Sequence, residues 1–319
     1  MMRNLYIENT GEHPAPEQEK LRKSILHSLI YFDIFNYPLT ANEIAQFSSV
    51  KINGLQSITN TLVELTQKLL IFKYDEFYSL KNDLSIVERR KKGNRNALNV
   101  LPKALNRSKL IQRFPFVRSV NISGSLSKNY FDDTTDFDFF VITAPNRLWI
   151  SRLLLTIYKK IFLLNSRKYF CINYYVDTDY LTIPDKNLFS ATEIVTLKNQ
   201  TGENYYRTFI QENNWIDTYF PNFYPQYNWL EEEKNGLIKR FIENLFAGRL
   251  GDIIDTFAFK LTTKFLKSKY VFFKSEDFKT NFRTKKHVSK HHPQGFQFKV
   301  LNAFEQKCRD FELQHSTEL

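Results

Sequence analysis

The chain has 319 residues, 42% of them apolar, 25% charged and 16% aromatic, with a formal net charge of +11. That length accommodates two or three domains around full cores, and the ordinary composition excludes fibrous and low-complexity classes. Two cysteines, Cys171 and Cys308, exclude a disulfide framework or a cysteine-rich zinc site, and the basic balance points to polyanionic partners or substrates.

The opening stretch MMRNLYIENTGEHPAPEQEK lacks the apolar run of a signal peptide. The best spanning candidate, LWISRLLLTIYKKIFLL, is interrupted by Arg152, Lys159 and Lys160, so the expectation is a cytoplasmic protein with no membrane partner. From Pro16, EQEKLRKSILHSLIYFDIF has helical apolar spacing. Thr40 and Glu43 form a capping box that opens a second short helix, and NGLQSITNTLVELTQKLL predicts a third, from about Asn53 to Leu69. IFKYDEFYSL reads as a hairpin turning at Asp75 and Glu76. Three helices followed by a hairpin predict a winged helix-turn-helix over residues 1–80. The visible charges of its third helix, Glu64 and Lys68, cancel, whereas neutralising a phosphate backbone needs several Lys or Arg. The expected role is therefore docking, not independent DNA binding.

Residues 81–110 form a basic connector, nine Lys or Arg against Asp83 and Glu88, whose leucines suit a docked helix and whose charges read as a solvated face. In the segment 111–183, FPFVRSVNISGS (114–125) predicts a strand, LSKNY a helical turn, and TDFDFFVIT (135–143) a second strand. A buried helix is expected from Pro145 to about Leu164, and KYFCINYYVD (168–177) predicts a third strand. Strand, turn, strand, helix, strand is a small α/β unit with one crossover. The remainder, 184–319, reads as helical, with a strongly basic stretch at 260–290 holding ten Lys or Arg against Glu276 and Asp277.

The chemistry concentrates in SGSLSKNYFDDTTDFDFF. Asp136 and Asp138 stand two apart on a predicted strand, so they share a face, with Phe137 and Phe139 anchoring the other. Adjacent carboxylates repel, and a pair of divalent cations relieves that repulsion; Mg²⁺ suits hard carboxylate oxygens, with Mn²⁺ as a substitute. Gly124 and Ser125 end the preceding strand at a tight turn where backbone and hydroxyl suit a phosphate, with Ser127 alongside and Lys128 adding positive charge. Asp132 and Asp133 read as solvated loop acids, His287, His291 and His292 as a solvated basic loop, and Cys171 as a small core residue.

An apolar residue, Gly-Ser, a gap of about ten residues and Asp-apolar-Asp resembles the signature of the DNA polymerase β-like nucleotidyltransferase superfamily. Residues 126 to 135 fill that gap here. The resemblance implies that Gly124 and Ser125 hold a nucleoside triphosphate and that Asp136 and Asp138 bind two catalytic Mg²⁺ ions. YFDIFNYPLT, VITAPNRLW, CINYYV and HHPQGFQFKVLNAFEQK further resemble bacterial nucleotidyltransferase-domain proteins with an N-terminal winged helix and a helical tail. The superfamily usually places a third carboxylate on the strand after the crossover helix. Here Cys171 and Asn173 occupy that region, Asp177 shares the parity of Asn173 but lies about 13 Å further along, and the expectation is that Asn173 or Asp177 completes the site, with Glu193 on the next helix a candidate base.

The expected architecture is α+β. A small mixed-sheet nucleotidyltransferase core (111–183) is flanked by the winged helix-turn-helix, the connector and a C-terminal helical region (184–319), part of whose basic tail faces the cleft. The expected activity is nucleotidyl transfer from a nucleoside triphosphate to RNA, a small metabolite or a protein. A nucleotide-sensing module of weak or absent catalysis is the alternative, because Asn173 cannot serve as a general base.

Overall fold

The computed structural model describes residues 16–166, 168–227, 236–271, 282–291 and 295–319. Its first unit begins with α1 (Pro16–Asp33), whose Ile25, Leu26, Leu29, Ile30 and Phe32 are buried. Strand β1 (Leu39–Thr40) leads into α2 (Ala41–Gln46), and the capping box is present. Glu43 N donates to Thr40 Oγ1 at 3.3 Å and Thr40 N to the Glu43 carboxylate at 2.9 Å. Helix α3 (Leu55–Gln67) buries Ile58, Leu62 and Leu65, the i, i+4, i+7 face. Strands β2 (Phe72–Tyr74) and β3 (Phe77–Ser79) turn at Asp75, with φ of 51°, and form a three-stranded antiparallel sheet in the order β1-β3-β2.

The connector is one long helix, α4 (Leu84–Gln112), started by the Asp83 carboxylate accepting from Ser85 N at 2.9 Å. One of its cations departs from the expected solvated face. Arg90 is buried beneath the first unit, its guanidinium donating to Pro38 O at 2.8 Å and to Glu43 at 2.7 Å and lying 3.6 Å from the Tyr37 ring centroid. Tyr37 and Phe77 supply the flat apolar surface on which a planar guanidinium stacks.

The second sheet has six strands in the order Lys198–Thr201, Val117–Ser123, Asp138–Thr143, Cys171–Asp177, Val288–Lys290 and Thr284–Lys285. Strand β4 (Val117–Ser123) runs through the short helix α5 (Gly124–Ser127) to β5 (Asp138–Thr143), which pairs antiparallel with it. Helix α6 (Leu148–Phe162) crosses to β6 (Cys171–Asp177), parallel to β5. The predicted strand start at 135 moves to Asp138, and α6 is not buried all round: Ile157, Ile161 and Phe162 are exposed.

Beyond residue 184 the chain is not wholly helical. After α7 (Leu188–Val195), residues Lys198–Thr201 form β7 on the free edge of β4. Helices α8 (Glu203–Glu212), α9 (Leu237–Leu245) and α10 (Arg249–Lys269) follow, with a 3₁₀ turn at Asn214–Thr218. The basic tail contributes the hairpin β8 (Thr284–Lys285) and β9 (Val288–Lys290), which extends the sheet beyond β6, and α11 (Phe296–His315) closes the chain. These added strands are two to four residues long, too short for alternation to register, and they exist because β4 and β6 offered unpaired edges.

The large sheet is apolar on both faces. Phe139, Val141, Val120 and Ile122 pack against α4, α6 and α10, while Phe140, Ile142 and Val176 join a core shared with α1, α3, α7, α8 and α11. Asp138 begins the strand on the Phe140 face, so it looks toward the first unit and the C-terminal helices. Among the described residues, no helix is long and apolar enough to cross a membrane.

Candidate active site

A cavity of about 670 Å³ opens where these elements meet over the start of β5. Gly124, Ser125, Lys128, Asp136, Asp138, Asn173 and Glu193 all line it. Phe137 and Phe139, both fully buried on the opposite side, fix the alternation that turns the two aspartates inward. Asp136 precedes the strand, yet its register is already set, because Phe137 N donates to Lys168 O at 2.9 Å and Cys171 N to Phe137 O at 3.0 Å.

Gly124 is required by two separate facts. Its φ is +64°, and a Cβ built there would lie 2.4 Å from Asp138 Oδ2. The turn therefore brings its backbone against the carboxylate, as the antiparallel pairing of Ser123 with Asp138 dictates. Ser127 Oγ donates to Gly124 O at 2.8 Å, so this hydroxyl braces the turn and lines a neighbouring groove, not the cavity. Lys128 Nζ reaches Gly124 O at 3.3 Å and Glu193 Oε1 at 2.8 Å.

Asn173 arrives beside the aspartates through a bulge. The pairing of β5 with β6 runs Phe139 to Ile172 and then Phe140 to Tyr174, so one extra residue is accommodated at Asn173. Its Nδ2 donates to Asp138 Oδ1 at 2.6 Å, while its Oδ1 accepts from Cys171 Sγ at 3.1 Å. Cys171 lines the cavity and is only half-buried, a correction to its reading as a core residue. Burial, with the Asp138 charge beside it, pushes the thiol up to about 12. Burial also raises the Asp138 carboxyl to about 7, with the neighbouring charges of Asp136 and Glu193 adding to the effect.

Asp177 stands apart. It pairs with Thr143 at the far end of β6, where its carboxylate accepts from Asn146 N at 3.4 Å and Asp179 N at 3.2 Å. It caps a turn there, and burial raises it to about 6. The basic tail also lies mostly elsewhere. Lys285 is exposed, Lys286 pairs with Asp255 at 2.6 Å, and of the tail's described cations Lys290 is the one lining the cavity, paired with Asp185 at 3.3 Å. Lys274, Lys279, Glu276, Asp277 and His292 lie outside the described residues. His287 stacks on Tyr180, their ring centroids 3.8 Å apart, and His291 lines the cavity.

Sequence reasoning missed the rim. Asp132, read as a solvated loop acid, is half-buried and organises the turn before Asp136, accepting from Thr134 N at 2.9 Å and from the Tyr130 hydroxyl at 2.8 Å. Asp133 is exposed as expected. Arg89 of α4 lies 4.8 Å over the Tyr130 ring, and the Tyr37 hydroxyl donates to Lys128 O. The spacing of Asp132 from Thr134 is the Asx-turn signal that could have revealed this loop.

Among the described residues, no group of three or more His, Cys, Asp or Glu is arranged as a complete metal cage. The donors present are nonetheless hard oxygens, and a carboxylate raised by burial and by a neighbouring like charge is one that a cation would return to its ionised form. The residues thus fit Mg²⁺ held by Asp136 and Asp138, with the Asn173 carbonyl available if its amide is turned over. Comparison with protein families, curated proteins and solved structures finds no match to this chain.

Proposed function

We propose that this chain is a nucleotidyltransferase of the DNA polymerase β-like kind, with the β4–α5–β5–α6–β6 unit as its core and α1–α3 with β1–β3 as a winged helix-turn-helix used for docking. The observation that carries the reading is the contact of Gly124 with Asp138, which sets a backbone turn suited to phosphate directly against a carboxylate paired in sequence with Asp136.

On this reading Asp136 and Asp138 would hold Mg²⁺, which when bound neutralises phosphate charge and aligns the reacting groups. Gly124 and Ser125 receive the triphosphate through backbone and hydroxyl. Lys128 adds positive charge and is steered by Glu193. Glu193, on α7, lines the same cavity, and on this reading it takes a proton from an acceptor hydroxyl. The acceptor is RNA, a small metabolite or a protein, and the setting proposed is the cytoplasm.

One observation favours a second reading, nucleotide sensing without turnover. The position at which the superfamily usually carries a third carboxylate holds Asn173, whose amide donates to Asp138. Incubating the full chain with each labelled nucleoside triphosphate, Mg²⁺ and candidate acceptors separates the two. Transfer that is lost in Asp138→Asn supports the enzyme. Mg²⁺-dependent binding without transfer supports the sensor, and absence of Mg²⁺-dependent triphosphate binding overturns both.

A further inference from the structure

Helices α9 and α10 leave an apolar face uncovered. On α10, Leu250, Ile253, Phe257, Leu261 and Phe265 recur at spacings of three and four and are all exposed, Phe257 by 63% and Phe265 by 61%. That spacing places them on one stripe of the helix, away from the buried side formed by Gly251, Asp255, Ala258 and Leu266. On α9, Leu237, Ile238, Phe241 and Leu245 are exposed on a stripe of their own. Soluble monomers rarely show contiguous apolar patches beyond roughly 300–600 Å², and the five side chains of α10 form a stripe over a helix of 21 residues, about 31 Å long.

The exposed charge on these helices is predominantly basic. Each acid of α9 and α10 pairs with a cation: half-buried Glu243 with Arg118 at 2.9 Å, exposed Asp252 with Arg147 at 2.6 Å, and buried Asp255 with Lys286 at 2.6 Å. Arg240, Arg249, Lys260, Lys264 and Lys267 are exposed, against the single exposed acid Asp252. On a helical projection, Arg249, Lys260, Lys264 and Lys267 fall along one flank of the α10 stripe.

We infer that the α9–α10 face docks on an anionic lipid surface, with α10 lying in the plane of the interface. Leu, Ile and Phe enter the headgroup region, while the flanking cations meet lipid phosphates. Pairing with a second copy is disfavoured by the same basic excess. An antiparallel pairing of α10 sets its basic flank against itself, the one exposed acid of the two helices, Asp252, is already paired with Arg147, and each chain carries a net charge of +11. A surface-bound helix needs no membrane span, in keeping with the absence of one among the described residues.

The test is flotation of the full chain with vesicles of phosphatidylcholine, with and without phosphatidylglycerol. Flotation with the anionic vesicles only, weakened by salt, is expected. Phe257→Ser combined with Phe265→Ser should lower the bound fraction tenfold or more without moving the melting temperature, since both side chains are exposed. Lys264→Glu combined with Lys267→Glu should have the same effect through charge alone. Failure to float, or flotation indifferent to both pairs of substitutions, overturns the inference. So does a dimer in light scattering that the Phe variants abolish, because a second copy then covers the face.

Discussion

Asn173 Nδ2 donates to Asp138 Oδ1 at 2.6 Å, across the parallel pair β5–β6 and one residue out of regular register. The bond holds the carboxylate while leaving Oδ2 beside Gly124. It also puts an amide where a carboxylate would have repelled Asp138. Asn173→Asp should therefore destabilise the metal-free protein near neutral pH, and Mg²⁺ should raise its melting temperature more than it raises that of the wild type. Equal responses in a thermal shift titration would remove Asn173 from the cation site.

The Asp138 carboxyl ionises near 3.8 when exposed and at about 7 in the folded chain. A raised carboxyl favours the state that binds the proton, so its stabilising contribution is present below about pH 4 and lost as pH rises to about 7. Asp138→Asn should consequently be more stable than the wild type above pH 7, on the order of 4 kcal/mol, and about equal to it near pH 4. Divalent cation affinity should rise with pH up to about 7, because the cation displaces that proton. Urea titrations across this range check the first expectation, and Mn²⁺ binding followed by electron paramagnetic resonance checks the second.

Gly124→Ala combines a left-handed backbone with a Cβ at 2.4 Å from Asp138 Oδ2. The backbone alone costs about 1–2 kcal/mol, and the contact forces the carboxylate out of place. A lower denaturation midpoint together with lost cation binding is expected. An unchanged midpoint would show that the turn adapts.

Glu193→Gln breaks the 2.8 Å pair with Lys128, whose partners remain partly exposed, so the stability change should stay below about 1 kcal/mol. If Glu193 takes the proton, kcat falls by about 10²–10⁴ with triphosphate binding retained. A change confined to KM would assign it to positioning Lys128.

Arg90→Met leaves Glu43 and Pro38 O without their buried donor and removes the stack on Tyr37. A loss of about 3 kcal/mol is expected, seen as a lower melting temperature of the whole chain, since α1, α3 and Tyr37 share one core with α7, α8 and α11. Separate melting of the first unit would contradict that shared core.

What the sequence by itself determined is local. Alternation of Phe137 and Phe139 with Asp136 and Asp138, the Thr40–Glu43 capping box and the turn at Asp75 each depend on near neighbours and on periodicity, so they were legible from the residues alone. Contacts between distant segments were decided only by the tertiary structure. The bulge that delivers Asn173, the burial of Arg90 and the recruitment of Lys198–Thr201 and Val288–Lys290 to the sheet all depend on which edge or surface another segment presents. A strand of three or four residues has no periodicity to read, and a lysine or arginine has the same sequence signature whether it meets water, a carboxylate or a tyrosine ring. Burial and partner choice are properties of the assembled surface, and so the basic character of the exposed α9–α10 face became visible only once Glu243, Asp252 and Asp255 were seen to be paired with Arg118, Arg147 and Lys286.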